Sequence, residues 1–340
     1  MSTSTALVTG ATGLLGSHIA ERLVEQGHAV TALVRPGSDL SFLRRLGVRC
    51  VEGRLENPDD CRKAVLGADW VFHSAAKVGD WGTWSEFQVG CLDTTANLAD
   101  AAADAGVDRF VHISSTSAYG HPREGGPPID ESAPLGARVW SVWDHYTRSK
   151  VESELILRRR ETERGLRLSI IRPSWLYGER DRTTMPRLIA KLERGGIPLI
   201  GKGDNPLSAI YAGNVADAAL LAARSPAALG EAFNITHQGL ITQREYFAIL
   251  ARLCNVEPSR RSFPYRLVFA AAFGIEAHGR FLRRRRPPLI TRYAAWLMGR
   301  RLSYSTEKAE RVLGWKPALG YEASLERTVR WYREHRTPRA

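Results

Sequence analysis

Residues 5–20, Thr-Ala-Leu-Val-Thr-Gly-Ala-Thr-Gly-Leu-Leu-Gly-Ser-His-Ile-Ala, are the stretch that decides the fold of this chain. Residues 6–9 form a short apolar run that stops at a glycine, which predicts a buried strand. From Ser17 onward the apolar residues recur at helical spacing, and Gly27 is placed to cap the C-terminal end of a helix. The stretch therefore predicts a strand, a tight turn and a helix in immediate succession.

The turn between this strand and this helix is rich in glycine, because every third residue from Gly10 to Gly16 is a glycine. Glycine adopts the backbone angles of such a turn at little cost, and the unpaired amides at the start of the helix suit a pyrophosphate. A tight turn without any ligand is the alternative. The contacts predicted for a nucleotide cofactor in this turn are Gly10, Thr12, Gly13, Leu14, Leu15 and Gly16.

At 340 residues, with 44% hydrophobic and 25% charged residues, the chain has the composition of an ordinary globular protein. That length accommodates one large α/β unit, or a nucleotide-binding domain with a smaller one attached. No signal peptide precedes the first strand and no apolar run reaches the roughly 18 residues of a membrane span, so we expect a cytoplasmic location. The cysteines and histidines show no metal-ligand spacing, so we predict neither a disulfide framework nor a metal site.

The net charge of +12 is concentrated in residues 258–301, which hold eleven arginines, no lysine and one acid, Glu276. Without a recognised nucleic-acid-binding module, this charge does not predict a nucleic-acid partner. The segment also contains the apolar run 267–273 and the arginines that follow Phe281 and Leu282. Three interpretations stay open: peripheral contact with an anionic membrane, an apolar helix packed on the core, and binding of an anionic substrate group.

Strand and helix patterns alternate along the first half of the chain, which predicts a parallel sheet with helices on both faces. After Pro173 the alternation becomes irregular, as expected where a substrate-binding part grows from the C-terminal edge of the sheet. The predicted strands cover residues 6–9, 28–34, 49–52, 70–72, 109–113, 166–171 and 232–235. Further helices are predicted over residues 57–67, 86–105, 146–160, 306–314 and 322–335, with a capping box at Thr242 and Glu245.

The end of the second predicted strand carries Arg35, and no carboxylate follows before Asp39. In sheets of this kind an acid at this point accepts a hydrogen bond from the adenosine ribose, whereas an arginine pairs with a 2′-phosphate. Arg35 therefore favours NADP(H) over NAD(H). NAD(H) stays open as the alternative, in which Arg35 is simply solvated.

A tyrosine and a lysine four residues apart, Tyr146 and Lys150, open the helix after the fifth predicted strand. Residues i and i+4 share one helix face, so the ammonium lies beside the phenol and favours its ionisation. Lys150 is also placed to donate to ribose hydroxyls of the cofactor. The fifth strand is followed by the hydroxyl-bearing residues 114–117. One of them is suited to hydrogen-bond a substrate carbonyl beside Tyr146, while the others are expected to cap the turn.

Together these motifs resemble the extended short-chain dehydrogenases/reductases of the NAD-dependent epimerase/dehydratase superfamily, over nearly the whole chain. Within that group the chain is most similar to the 3β-hydroxysteroid dehydrogenase-like branch, which includes sterol-carboxylate dehydrogenases, dihydroflavonol-type reductases and bacterial β-keto-acid reductases. The stretches that carry the resemblance are residues 9–16, 73–76, 114–120, 146–150, 172–178 and 308–317, and for this branch in particular residues 72–82 and 288–293.

The resemblance implies specific site residues. Its catalytic triad falls on Ser115, Tyr146 and Lys150, with Ser115 selected because the catalytic hydroxyl of the family lies four residues before the tyrosine found here at Tyr119. It implies further cofactor contacts at Arg54, Leu55, Ala75, Ala76, Pro173 and Ser174, and substrate contacts at Lys77, Ser115, Thr116 and Trp175. Where the family usually carries Gly-Asp-Leu, this chain has Arg54 in place of the acid, which leaves the adenine contact open.

The resemblance also implies the fold and the activity. The expected fold is a Rossmann-type doubly wound parallel sheet with a smaller C-terminal α/β substrate-binding part. The expected NAD(P)-binding domain comprises residues 1–172 plus about 208–236, and the substrate-binding part comprises residues 173–207 and 237–340. The implied reaction interconverts a hydroxyl and a ketone by hydride transfer, with Tyr146 as acid/base. Its substrate is a small hydrophobic compound of steroid, isoprenoid, flavonoid or β-keto-acyl type, and a homodimer is compatible with the resemblance.

A nucleotide-sugar epimerase or dehydratase with bound NAD is the alternative activity. Two features of the sequence count against it. Dehydratases carry an Asp-Glu pair after the catalytic hydroxyl, where this chain has Thr116 and Ser117. Nucleotide-sugar enzymes commonly carry an asparagine where this chain has Trp175 and Leu176, which suit an apolar ligand better. A non-catalytic NADP sensor or scaffold is a third class, which the motifs alone leave open.

Overall fold

The structure, a computed structural model, describes residues 3–140 and 142–335. Its strands, in chain order, are β1 (Thr5–Thr9), β2 (Ala29–Val34), β3 (Arg49–Glu52), β4 (Trp70–His73), β5 (Arg109–Ile113), β6 (Leu168–Pro173), β7 (Trp175–Tyr177), β8 (Leu199–Ile200), β9 (Ala209–Tyr211), β10 (Ala232–Ile235) and β11 (Ser262–Phe263). Seven of them form one parallel sheet in the order β3-β2-β1-β4-β5-β6-β10. The chain reverses its direction across the sheet between β1 and β4, where sheets of this kind bind ligands.

Thirteen α-helices lie between and after these strands in the described residues. In chain order they are α1 (Leu14–Glu25), α2 (Ser41–Arg45), α3 (Pro58–Val65), α4 (Trp84–Phe87), α5 (Thr94–Asp104), α6 (His145–Arg164), α7 (Met185–Glu193), α8 (Ala212–Arg224), α9 (Gln243–Leu253), α10 (Tyr265–Phe281), α11 (Arg292–Gly299), α12 (Glu307–Leu313) and α13 (Tyr321–Glu334). No helix of residues 3–140 and 142–335 is long and apolar enough to cross a membrane.

Helices cover both faces of the large sheet, and the alternation of side chains along each strand explains why. On β1, Ala6 and Val8 face the layer formed by α1, α8 and α12, whereas Leu7 faces the layer formed by α3, α5 and α6. On β5, Val111 faces the layer formed by α1, α8 and α12, whereas Phe110 faces the layer formed by α3, α5 and α6. Strands buried on both faces need continuous apolar runs, which the sequence supplies. The predicted doubly wound parallel sheet is confirmed.

A second apolar core lies beyond the C-terminal edge of the sheet. The two-stranded pairs β7/β9 and β8/β11 pack there with α7, α9 and α13 around buried residues such as Tyr177, Tyr211 and Tyr246. The strand β10 returns to the large sheet beside β6, as the sequence predicts for residues 232–235. The predicted division into two domains stays a prediction.

The long helix predicted over residues 86–105 is present as one continuous helical run, but its middle is π-helical instead of α-helical. The structure has α4, a π-helical segment Gln88–Asp93 and then α5. Within the π segment, the Gly90 carbonyl accepts a hydrogen bond from the Lys77 amide at 3.0 Å. A Cβ at Gly90 would lie 3.1 Å from the Lys77 Cβ. The wider turn therefore accompanies a close approach of this helix to the loop after β4, which periodicity does not reveal.

Candidate active site

The glycine turn between β1 and α1 is built around two close backbone approaches. Gly10 has a φ of +68°, and a Cβ there would lie 2.8 Å from the Ala75 amide nitrogen in the loop after β4. A Cβ at Gly16 would lie 2.2 Å from the Gly10 carbonyl oxygen. Any side chain at these two positions would push the turn away from α1 and from Ala75. The turn requires glycine, as predicted, at Gly10 and Gly16.

The N-terminus of α1 lacks the groups that usually satisfy a helix start. Gly13 is its N-cap, no side chain caps it, and the first turn contains no acid. By contrast, Asn57 caps α3, which has two aspartates in its first turn, and Thr242 forms a capping box on α9. The amides at the start of α1 and its positive dipole end are thus left for an anion. These features fit the pyrophosphate of a dinucleotide.

A buried histidine ties the glycine turn to the neighbouring strand. His73, at the end of β4, hydrogen-bonds the Thr9 hydroxyl at 2.9 Å and the Thr95 hydroxyl at 3.0 Å. Burial, with a smaller effect from the nearby Lys150 charge, lowers the pKa of His73 to about 3, so its ring is neutral. The Thr9 hydroxyl also accepts a hydrogen bond from the Ala75 amide at 3.3 Å. Ala75 and the half-buried residues after it are thereby held beside the turn.

The serines after β5 have different surroundings. Ser114 donates a short hydrogen bond to the buried carboxylate of Glu154 on α6, so its hydroxyl is occupied. Ser115 caps the short 3-10 helix Thr116–Tyr119, because its Oγ accepts from the Ser117 amide at 3.1 Å. The Ser115 Oγ also lies 2.9 Å from the Ser117 Oγ. Of the first two serines, only Ser115 keeps its hydroxyl free of a carboxylate, and its catalytic role stays a prediction.

Helix α6 carries the predicted tyrosine and lysine in its first two turns. The Tyr146 side chain is half-buried, and no protein partner of its hydroxyl is found in the described part of the chain. Lys150 is buried, and its Nζ lies 3.4 Å from the carbonyl oxygen of Ile113, the last residue of β5. The ammonium is therefore held at the C-terminal end of the strand that leads into Ser115.

A second tyrosine, Tyr293 on α11, contacts both the Tyr146 ring and the serines that follow β5. Its ring meets the Tyr146 ring edge-on, with centroids 5.4 Å apart. Its hydroxyl lies 2.6 Å from the Ser117 Oγ, which in turn bonds Ser115. Tyr293 thus connects the phenol of α6 with the serine after β5.

Arg35, predicted near a 2′-phosphate, and Arg54, predicted as a cofactor contact, follow the ends of β2 and β3. Arg35 and Arg54 are exposed. Neither side chain forms an ion pair within residues 3–140 and 142–335. The backbone amide of Arg54 is held by the Asp60 carboxylate at 2.9 Å. Two unpaired guanidinium groups at adjacent strand ends are suited to an anion.

The remaining predicted contacts lie along the same edge of the sheet. Pro173 ends β6, and the buried Ser174 hydroxyl donates to the Thr236 hydroxyl at 3.0 Å. Lys77 is partly buried, with its ammonium 3.5 Å from Glu86. Thr116 is buried, and Trp175 is half-buried on β7 beside Tyr246. Leu55 is half-buried directly after Arg54.

The arginine-rich segment 258–301 packs against this edge through α10 and α11. Only Ala272, Glu276 and Gly279 of α10 are buried, whereas Leu267, Phe273 and Phe281 are exposed by 66%, 46% and 85%. Most apolar side chains of α10 are thus partly or fully exposed, although Ala272 is fully buried and the Phe269 ring contacts the Trp140 and Tyr265 rings at 5.6 and 5.7 Å. All three interpretations of this segment stay predictions. Arg283, Arg284, Arg285 and Arg286 are also exposed.

Aromatic rings and arginines hold this segment to the rest of the protein. The Arg280 guanidinium lies 4.5 Å above the Trp81 ring, and the Trp81 ring nitrogen donates to the Arg284 carbonyl at 3.0 Å. Arg292 is buried and forms an ion pair of 2.7 Å with Glu276, while its guanidinium lies 5.1 Å from the centre of the Trp140 ring. These contacts fix the position of α11, and hence of Tyr293, over the site.

The model of the NAD dependent epimerase/dehydratase family matches residues 6–236 of the chain. The chain belongs to this family. Its glycine turn, tyrosine and lysine all lie within the matched residues. The predicted resemblance to extended short-chain dehydrogenases/reductases is thus confirmed. Within the described residues, no group of histidine, cysteine, aspartate and glutamate side chains is arranged to hold a metal ion.

Curated relatives match almost the whole chain. A 2-alkyl-3-oxoalkanoate reductase of Shewanella oneidensis is 28% identical over 334 residues, which cover 95% of this chain and 85% of that protein. A 3-beta-hydroxysteroid dehydrogenase of Mycolicibacterium neoaurum is 29% identical over 343 residues, which cover 96% of this chain and 90% of that protein. The chain is therefore similar to oxidoreductases along its full length.

A solved structure shows that this chain also resembles a known enzyme in its three-dimensional fold. The dTDP-glucose 4,6-dehydratase DesIV of Streptomyces venezuelae, a double mutant with NAD and DAU bound, has a TM-score of 0.77 at 25% identity and 97% coverage of both chains. The family, these relatives and this structure identify the chain as an NAD(P)-dependent enzyme of the extended short-chain dehydrogenase/reductase type.

Three features of this epimerase/dehydratase-family site were not assigned from the sequence. Tyr293 was noted only as the end of a stretch typical of one branch, and Ser117 only as one hydroxyl among four. The link from His73 to Thr9 and Thr95 joins residues far apart in the chain. The branch-typical stretch 288–293 was the one signal that pointed towards Tyr293.

Proposed function

We propose that this chain interconverts a ketone and an alcohol on a small hydrophobic substrate, with NADP(H) as the preferred cofactor. The observation that carries the proposal is the geometry around Tyr146. Tyr293 contacts the Tyr146 ring and connects, through Ser117, to Ser115, while Lys150 is held at the end of the neighbouring strand. A hydroxyl, a phenol and an ammonium at one sheet edge form the set that carbonyl reduction requires.

The residues of the site have separate roles in this reaction. When bound, the nicotinamide supplies a hydride to the carbonyl carbon or takes one up from the alcohol. Tyr146 gives a proton to the carbonyl oxygen during reduction and takes it back during oxidation. Ser115 donates a hydrogen bond to the same oxygen. Lys150 favours the phenolate of Tyr146 by its charge and binds the ribose.

The cofactor preference rests on Arg35 and Arg54. Both guanidinium groups are exposed at the ends of neighbouring strands, without an ion pair in the described part of the chain. A 2′-phosphate would provide the charge-assisted partner that these groups lack. The uncapped start of α1 supports pyrophosphate binding at Gly13, Leu14, Leu15 and Gly16.

The apolar character of the substrate is supported by the aromatic side chains around Tyr146. Tyr293 contacts the Tyr146 ring edge-on, and Trp175 is half-buried on β7 along the same edge of the sheet. Aromatic surfaces of this kind suit apolar ligands. The two relatives that act, by their names, on a 2-alkyl-3-oxoalkanoate and on a 3-beta-hydroxysteroid agree with this choice.

The test compares the wild type with Tyr146→Phe, using a long-chain 2-alkyl-3-oxoalkanoate and a 3-ketosteroid, each with NADPH and with NADH, and dTDP-glucose with NAD⁺. We expect reduction of an apolar ketone, faster with NADPH, and a loss of about 10²-fold or more in Tyr146→Phe, because the proton donor is gone. Cofactor affinity, followed by nicotinamide fluorescence, should stay nearly unchanged. Turnover of Tyr146→Phe within tenfold of the wild type would disprove the role of Tyr146, and turnover of dTDP-glucose alone would favour the nucleotide-sugar alternative.

We also propose that residues 258–301 contact an anionic membrane surface. Exposed apolar side chains of α10 and the loop after it, including Phe281 and Leu289, lie next to the exposed Arg283–Arg286. That combination suits a lipid interface. The chain should sediment with anionic but not neutral vesicles, and replacing the four arginines by glutamate should abolish the binding. No sedimentation with anionic vesicles at low salt would exclude the contact, and a raised KM in the same variant would then favour an anionic substrate group.

A further inference from the structure

The Ser115 hydroxyl lies within hydrogen-bond distance of two groups of Ser117. Its Oγ accepts from the Ser117 amide at 3.1 Å and lies 2.9 Å from the Ser117 Oγ. A serine hydroxyl has one proton to donate and two lone pairs that accept. If the Ser117 hydroxyl is the donor of the second bond, both lone pairs of Ser115 are filled. The Ser115 proton is then the one remaining group that can serve a substrate carbonyl.

The direction of the hydrogen bond between Ser115 and Ser117 depends on whether the Ser117 hydroxyl accepts a hydrogen bond from another group. The Ser117 Oγ lies 2.6 Å from the Tyr293 hydroxyl. If Tyr293 donates to Ser117, the Ser117 proton is free to point at Ser115. If Tyr293 accepts, the Ser117 proton is used there, and Ser115 must donate to Ser117 instead of to a substrate. Tyr293 therefore decides which way the whole chain of hydrogen bonds runs.

The surroundings of Tyr293 favour the donor role. Tyr293 is half-buried, and its hydroxyl lies against the buried Ser117 hydroxyl. Burial raises the pKa of Tyr293 well above its usual value, with a smaller contribution from Tyr146, so the phenol keeps its proton. A phenol is also a stronger acid than a serine hydroxyl and is the better donor of the two.

We propose that Tyr293, acting through Ser117, is a positioning residue that directs the Ser115 hydroxyl towards the substrate carbonyl. The hydrogen bonds run from Tyr293 to Ser117, from Ser117 to Ser115 and from Ser115 to the substrate oxygen. Each bond in such a chain polarises the next one, which strengthens the last donor where negative charge develops on the carbonyl. The proposal rests on the proposed function, since it requires Ser115 to bind a reacting oxygen.

A purely structural role of Tyr293 is the competing explanation. Its ring contacts both Tyr146 and Trp296, at 5.4 and 6.1 Å, and in this explanation the loss of its hydroxyl loosens α11 as a whole. Tyr293→Phe keeps the ring and removes only the hydroxyl. A matched control is Tyr177→Phe, because the Tyr177 hydroxyl also bonds a serine, Ser324, at 2.7 Å in a fully buried place away from Ser115.

The experiment is a double-mutant cycle between Tyr293→Phe and Ser115→Ala, measured as reduction of a long-chain 2-alkyl-3-oxoalkanoate with NADPH. Removing a direct donor to a developing oxyanion costs about 10²–10³-fold in kcat, so an indirect one should cost about tenfold. We expect Tyr293→Phe to lower kcat by about tenfold in the wild-type background and to change nothing in the Ser115→Ala background. Ser117→Ala should behave in the same way. NADPH affinity should be unchanged in all variants.

The outcomes separate this proposal from the proposed function. Equal losses in the two backgrounds, or a kcat of Tyr293→Phe equal to that of the wild type, would overturn the role of Tyr293 alone. A loss of kcat in Tyr177→Phe as large as that in Tyr293→Phe would show that any buried tyrosine–serine bond has this effect, and would also overturn it. A wild-type chain that reduces no ketone would overturn both proposals together. The comparison of the wild type with Tyr146→Phe tests the proposed function separately from the role of Tyr293.

Discussion

The buried ion pair between Glu154 and Arg172 provides a sharp test of how the site is supported. Arg172 donates two hydrogen bonds to the Glu154 carboxylate, from Nε at 3.0 Å and from a terminal nitrogen at 2.7 Å. The Ser114 hydroxyl donates a third hydrogen bond to the same carboxylate. The side chains are exposed by only 0% and 5%. Burial alone would lower the pKa of Arg172, but the hydrogen bonds and charge of Glu154 outweigh it and hold that pKa above its usual value.

The substitution Glu154→Gln removes the charge and keeps the shape. Removing one partner of a buried ion pair costs about 3–5 kcal/mol, because the other charge is left buried without compensation. Here the stranded charge is Arg172, whose remaining partner is the Tyr119 hydroxyl at 2.8 Å. We therefore expect the free energy of unfolding to fall by about 3–5 kcal/mol.

The chain supplies its own control on the same helix. Glu152 pairs with Arg148 at 3.3 Å, but these side chains are exposed by 37% and 53%, so Glu152→Gln should cost about 0.5 kcal/mol or less. Both variants are measured by urea unfolding at neutral pH. In the double variant with Arg172→Met, the cost should be smaller than the sum of the two single costs, because no charge is stranded. Equal costs for Glu154→Gln and Glu152→Gln would refute the reasoning.

Three further predictions concern the cofactor site and its pH dependence. Arg35→Asp should weaken NADPH binding by about tenfold or more and favour NADH, since it removes a charge-assisted partner and supplies a ribose acceptor; a fluorescence titration with both cofactors checks this, and an unchanged preference contradicts it. Gly16→Ala should abolish NADPH binding in the same titration, because the added Cβ would lie 2.2 Å from the Gly10 carbonyl oxygen; full binding would contradict the close approach. The pKa of His73 is about 3 in the folded chain and 6.5 as its reference value, so the unfolded chain binds more protons between these pH values. The stability that neutral His73 contributes should therefore be complete above pH 6.5 and be lost as the pH falls towards 3, and His73→Gln should flatten this dependence in urea unfolding.

The parts of the fold that the sequence predicts well are those with a local cause. Strands buried on both faces need apolar runs, and the tight turn before α1 needs glycine, so both leave a pattern within a few residues. The end of each strand then places residues such as Ser115 at one sheet edge without further information. The π segment was missed because its cause, the contact between Gly90 and Lys77, joins residues on different elements.

The part of the site that the sequence does not predict depends on contacts between distant residues. Ser117 and Tyr293 are 176 residues apart, and no periodicity relates them. The role of His73 is equally hard to predict from the sequence, because its two threonine partners lie on other elements. In each case the residue type is compatible with several roles, and only the partner that the fold brings to it decides which one it has.

The arginine-rich segment shows the difference between counting charges and knowing their partners. By composition its eleven arginines are equivalent. In the structure Arg292 is buried against Glu276, Arg280 lies on aromatic rings, and Arg300 pairs with Glu124, whereas Arg283–Arg286 stay exposed. The paired arginines hold α10 and α11 against the sheet edge, and Tyr293 directly follows Arg292. Loss of the Arg292–Glu276 pair should therefore displace Tyr293 from Tyr146 and Ser117, so this positive segment contributes to the reaction first by building the site, whatever surface its exposed arginines bind.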